Sequence, residues 1–262
     1  MRLSRGFRKI FSIILLCQIP VFVFAQAPAK KEINQQVQFW TSINSTFRMS
    51  KRWGFLADFH IRRNNFLADP SFYFIRFAGD YWIRDNITVA LGYGHMWLAP
   101  TKEGWTTYAN ENRIYQQFLV SSKSGKTLFL HRIRNEQRWQ QKIVDDEWTG
   151  AWKFTNRFRY LFSMTRQVFQ KKSLPSLVLA DEILLQFGSE VVYNTFEQNR
   201  LFIGIRQNIN KKLSFDFGYM NVYQQKSSGY QYDMNHTIRL FFYYNGGKYP
   251  TKNQNHNEYN DE

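Results

Sequence analysis

Between Leu128 and Trp139, successive positions of one parity carry Arg132, Arg134, Glu136 and Arg138. The next segment of the same rhythm supplies Lys153, Arg157 and Arg159, and later ones bring Glu182, Arg200, Arg206, Asp216 and Arg239. Residues two apart in an extended chain point to the same face, so this spacing collects guanidinium and carboxylate groups on one side of a sheet. Enclosed together, such groups form a hydrogen-bonded ion-pair network, because buried charges must be paired. Arranged around an open channel, rings of Arg and Lys attract and pass anions.

Other residue types suggest less. His95, His131 and His236 share the parity of apolar neighbours, and Asn235 adjoins His236, yet no serine is fixed beside any of them as lipid hydrolysis at a barrel rim would need. Gly125-Lys126-Thr127 mimics the end of a phosphate loop but lacks its first glycine and precedes a strand. Asp145-Asp146-Glu147 falls in an expected loop without the ordered ligand spacing of a calcium site. No cofactor or metal site is read.

The elements that must position the charged face have a period of two. Phe55, Ala57, Phe59 and Ile61 alternate with Asp58, His60 and Arg62, and Tyr73, Ile75 and Phe77 alternate with Arg76 and Asp80. Ile87, Val89, Leu91 and Tyr93 oppose Gly92 and Gly94, whereas Trp152, Phe154, Phe158, Tyr160 and Phe162 oppose Lys153, Arg157 and Arg159. Leu201, Ile203 and Ile205 continue the pattern against Arg200, Gly204 and Arg206; Phe215, Phe217 and Tyr219 against Asp216 and Gly218; Ile238, Leu240 and Phe242 against Arg239. Weaker alternation over 36–48, 111–121, 127–139 and 177–187 brings the segments to eleven. They are long enough to cross a ~25 Å apolar band at the tilt of barrel strands, whereas soluble sandwich strands average ~5–6 residues. Aromatic residues make up 18% of the chain although its mean hydropathy is negative, as expected where apolar and polar faces alternate.

The fold this predicts is all-β: a single antiparallel up-and-down transmembrane barrel over 36–246. Bacterial single-chain barrels have even strand numbers, so twelve strands are expected, with ten as the alternative and a hidden strand in 26–36 or 166–195. Connections at 49–52, 84–86, 122–126 and 210–212 are tight, whereas 100–107, 140–150 and 226–233 are long. That asymmetry places short turns in the periplasm and long loops outside. Trp53, Trp82, Trp97, Trp139 and Trp152 flank the connections as interfacial girdles would. The glycines at 92, 94, 204 and 218 are read as room for long arginines or as strand bends.

The first residues carry Arg2, Arg5, Arg8 and Lys9 before an apolar stretch ending at Ala25, the pattern of a signal peptide over 1–25. Cys17 as a lipidation site is disfavoured by the bulky Leu16 before it. It is the only cysteine, so the exported chain has no disulfide and no thiolate metal site. An N-terminal segment at 26–35 precedes the barrel, and a polar tail at 247–262 follows it. Of the formal charge of +15, the signal contributes four, leaving a basic surplus of eleven. Export and the interleaved aromatics argue against nucleic acid and toward outer-membrane lipids and lipopolysaccharide as partners.

Taken together, Trp40-Thr41-Ser42, Lys51-Arg52-Trp53-Gly54, Asn135-Glu136-Gln137-Arg138, Asn156-Arg157-Phe158-Arg159-Tyr160, Gln198-Asn199-Arg200-Leu201-Phe202-Ile203-Gly204, Gly218-Tyr219-Met220-Asn221 and Asn235-His236-Thr237-Ile238-Arg239-Leu240 occur in the order that marks a family of outer-membrane barrels. The chain resembles this family, known as domain of unknown function 2490, over most of its exported length. The resemblance implies the barrel and its location but carries no activity. It draws attention to the pairs Asn156-Arg157 and Asn199-Arg200, with Glu136 and Arg138, as an inward polar network. Three functions stay open: a closed structural or binding barrel, an anion-permeable channel, and a lipid-modifying enzyme at the outer rim.

Overall fold

The computed structural model describes residues 31–171 and 173–249. The signal peptide read at 1–25 and all of the tail beyond Tyr249 lie outside the described residues. Each of the eleven alternating segments forms a strand: β1 (Glu32–Arg48), β2 (Trp53–Asn64), β3 (Asp69–Arg84), β4 (Ile87–Leu98), β5 (Ala109–Ser124), β6 (Thr127–Val144), β7 (Glu147–Arg166), β8 (Ser176–Phe187), β9 (Phe196–Asn208), β10 (Leu213–Gln225) and β11 (Gln231–Gly247). Consecutive strands pair antiparallel, and the sheet closes where β1 meets β11.

That closure corrects the expected strand number. Glu32 pairs with Gln231 and Arg48 with Gly247, so the two strands run parallel over seventeen paired positions. Eleven antiparallel neighbours in series leave the first and last strands pointing the same way, and a parallel ladder satisfies their backbone groups as completely as an antiparallel one. The barrel is therefore mixed, and no twelfth strand is needed. Residues 32–35, expected before the barrel, belong to β1, and Gly247 ends β11.

Two rims follow from this order. The first carries the start of β1 and the links after β2, β4, β6, β8 and β10; the second carries the links after β1, β3, β5, β7 and β9 and the end of β11. The expected loop at 140–150 is instead a continuation of β6 and β7 joined by Asp145 and Asp146 alone. Both have left-handed backbones, φ 50° and 62°, the geometry of a two-residue hairpin turn whose twist matches its strands, which Asp tolerates. The second rim has its own long link, 167–175 between β7 and β8, in a stretch that had no clear pattern.

Side chains of one parity face outward and are mostly apolar: Ile43, Phe77, Leu91, Leu201 and Ile203 are 54–63% exposed in mid-strand. The opposite parity is enclosed. Toward the second rim it forms an apolar shelf that includes Leu119, Leu130, Leu161, Val178 and Phe202. Gly204 and Gly218 lie opposite each other on β9 and β10, where a Cβ on Gly218 would fall 2.5 Å from the Cα of Gly204. A Cβ on Gly92 would meet the Tyr115 ring at 2.5 Å, and one on Gly94 the Phe74 ring at 2.6 Å. These glycines admit aromatic rings and a close strand approach, not arginines.

Candidate functional site

The arginines and carboxylates of the inward parity meet in the barrel interior. Glu182 on β8 accepts from Arg132 of β6 at 2.6 Å, from Nε and Nη2 of Arg159 of β7 at 2.9 Å each, and from Arg200 of β9 at 3.3 Å. Glu136 on β6 accepts from Arg159 at 3.0 Å and from Nε of Arg157 at 2.6 Å, with Arg134 at 3.5 Å. These two carboxylates, 1% exposed each, thus bridge four neighbouring strands through shared guanidinium groups. Arg206 and Asp216 face each other across β9 and β10 and form a two-pronged pair at 2.7 and 2.9 Å. Arg239 of β11 approaches Asp216 at 3.6 Å and donates to the Tyr243 hydroxyl at 2.9 Å.

Arg138 lies apart from Glu136 and donates instead to Glu197 at 2.7 Å; Arg157 approaches the same carboxylate at 3.6 Å. Glu197 was not among the residues singled out, and the reason is geometric. The β8–β9 register shifts so that Leu184 pairs with Gln198 but Leu185 with Phe196, leaving Glu197 as the extra residue of a bulge. A bulge re-aims the side chain it carries, so Glu197 reaches the interior although strict alternation from Arg200 would turn it outward.

Further members lie on β2–β5. Asp58 accepts from Arg76, both fully buried, and Glu111 accepts from Arg113 at 2.5 Å. Gln117 accepts two bonds from Arg134, at 3.0 and 2.7 Å. Their signal was present in the alternation of Asp58 and Arg76, but isolated charges on separate strands do not announce which strands become neighbours. His60 was also missed. It is fully buried between the rings of Phe74 and Phe241, and neither ring nitrogen has a hydrogen-bond partner among the described residues.

Rings carry part of the cationic load. Arg62 lies 3.3 Å above the Trp40 ring, and Arg239 lies 4.1 Å from Phe202 and 4.3 Å from Phe241. A cation over an aromatic face gains ~2 kcal/mol when desolvated. Such contacts matter because twelve arginines but only six carboxylates are buried among the described residues.

The asparagines expected in this network are elsewhere. Asn156 and Asn199 take the outward parity next to the buried Arg157 and Arg200, and Asn199 donates to the outward Asp181 at 2.8 Å. Adjacent residues in a strand cannot share a face. Trp82 likewise points inward, 3% exposed beneath the Arg48 guanidinium, and is not a girdle residue; Trp53 is 62% exposed. The outward histidines bond to tyrosine or asparagine: His131 to Tyr160 at 2.9 Å, His236 to Tyr219 at 2.7 Å and His95 to Asn112 at 2.9 Å. No serine hydroxyl joins them among the described residues, where no grouping suited to a metal ion occurs either.

On the first rim, Asp146 ties two hairpins together. Its carboxylate accepts from the backbone N–H of Thr106 at 3.0 Å and of Thr107 at 2.7 Å. These donors hold the carboxyl below the usual aspartate range.

A closed sheet with a charged interior and an apolar exterior defines an inside-out β-barrel. This chain belongs to the family described as Protein of unknown function (DUF2490), whose profile matches residues 37–256. No curated protein matches it in sequence.

Proposed function

We propose that the chain is an integral outer-membrane barrel with a closed interior, serving as a structural or binding element of that membrane. One observation carries this reading: large apolar side chains such as Ile43, Phe77, Leu91, Leu201 and Ile203 are more than half exposed in mid-strand, while Arg76, Arg132, Arg134, Arg159 and Arg239 are fully enclosed. In water that arrangement is costly on both faces; in a bilayer the exterior is solvated by lipid, and the interior supplies its own partners. The strands, 12 to 20 residues long, exceed what an apolar core ~30 Å thick requires of them. The signal-peptide pattern over 1–25 supports export, and the immediate partners are outer-membrane lipids and lipopolysaccharide.

The test is to refold the exported chain, verify that heating shifts its gel mobility as for compact barrels, and record current across a planar bilayer. Folded protein that passes no current is the expected outcome. A second reading, an anion-permeable channel, draws on the twofold excess of buried arginines over buried carboxylates. Discrete anion-selective current steps, altered by Arg134→Ala, would replace the closed reading with that one.

A further inference from the structure

The basic surplus of the chain is not spread evenly over its ends. Lys51 and Arg52 stand in the β1–β2 turn, Arg84 at the β3–β4 turn, and Lys123 and Lys126 around the β5–β6 turn, all exposed. The β7–β8 and β9–β10 links add exposed Arg166, Lys171, Lys211 and Lys212, so every connection of the second rim carries cations. None of these nine is ion-paired among the described residues. The carboxylate of these connections, Asp85, is engaged by Arg48 at 3.0 Å.

The first rim differs. Asp69, Glu103, Asp145 and Glu147 offset its lysines, and Lys142 pairs with Glu190 at 2.8 Å and Lys226 with Asp233 at 3.1 Å. The second rim also exposes apolar side chains among its cations: Met49, Trp53, Val168, Phe169, Leu174 and Ile209. Long cationic side chains beside exposed apolar groups suit the boundary between hydrocarbon and headgroups, where the stem stays in apolar surroundings and the charge reaches out.

We propose that the second rim is a cationic collar that binds the phosphate groups of anionic lipid headgroups in the leaflet it faces. The proposal rests on the membrane reading above. A soluble acidic partner would dock on one side, whereas these cations follow every link around the barrel mouth at the level of exposed apolar groups. An encircling leaflet meets all of them at once. The collar also gives a role to the part of the basic surplus that lies outside the interior.

The test compares three proteins refolded into vesicles of equimolar phosphatidylcholine and phosphatidylglycerol, then released for native mass spectrometry of retained lipid. They are the parent chain, a second-rim variant (Lys51→Gln, Lys123→Gln, Lys126→Gln, Lys211→Gln, Lys212→Gln) and a first-rim control (Lys102→Gln, Lys142→Gln, Lys226→Gln). The parent and the control should retain phosphatidylglycerol about fivefold over phosphatidylcholine, the ratio equivalent to ~1 kcal/mol per cation near an anionic surface. The second-rim variant should fall toward parity, as should the parent at high salt. Parity in the parent, an unchanged preference in the second-rim variant, or an equal loss in the control overturns the collar. Heat-dependent gel mobility separates the two readings: a folded, inserted barrel without lipid preference sinks the collar alone, whereas failure to insert sinks the membrane reading and the collar with it.

Discussion

Glu182 shows what a single carboxylate does inside this barrel. Arg132, Arg159 and Arg200 all converge on it from three strands. An arginine cannot escape burial by giving up its proton, so the carboxylate is what makes three enclosed guanidinium groups tolerable. Glu182→Gln keeps the shape but removes the charge and turns one of the two accepting oxygens into an NH2 donor that faces arginine donors. Breaking a buried pair costs about 3–5 kcal/mol, and the refolded variant should show a loss of that order in urea unfolding in lipid. An unchanged midpoint would mean that the interior does not depend on charge balance at this residue. Alternation alone identified Glu182, Glu136, Asp216 and the arginines around them as sharing an inward face. The pairing of Arg138 with Glu197 was illegible, because a register shift cannot be inferred from residue types that fit either parity.

Asp146 makes the corresponding point about elements, since it is the contact through which the β6–β7 turn holds the β4–β5 loop. Its two backbone donors, Thr106 and Thr107, stabilise only the ionised carboxylate, so the folded value lies below the free one. The contribution is therefore complete above the ordinary aspartate value of about 3.9 and is lost as pH falls through the lowered one. Hydrogen exchange of residues 99–108, taken relative to the intrinsic amide rate at each pH, should be slow at neutral pH and should quicken below about pH 4. Asp146→Ala should make it fast at every pH, and equal exchange in the two proteins at neutral pH would exclude the latch. The sequence placed this aspartate in a loop because Asp145-Asp146-Glu147 is polar. It could not show that the flanking strands continue to a two-residue turn.

For the whole molecule, the decisive feature is the parallel seam between β1 and β11. Thr41 and Leu240 are register partners there with outward side chains. Cys17 is the one cysteine of the sequence, so a Cys17→Ser background leaves only the two introduced thiols. The double variant Thr41→Cys, Leu240→Cys should form a disulfide in the folded barrel and not in urea, since a bridge needs Cα atoms within ~7 Å. A nonreducing gel reads the result. Failure to form the bridge in folded protein would reject the parallel closure and reopen an even-stranded barrel.

The sequence by itself located eleven alternating segments, although an even number of strands was expected from them, and it set the face of most of their residues and the charged character of the interior. A period of two is a local property, set by the backbone wherever an extended chain separates apolar from polar groups. Tertiary structure decided the seam, the bulge at Glu197, the inward turn of Trp82 and the partners of each arginine. Those depend on which strands become neighbours and in what register, and that follows from closing the whole sheet at once.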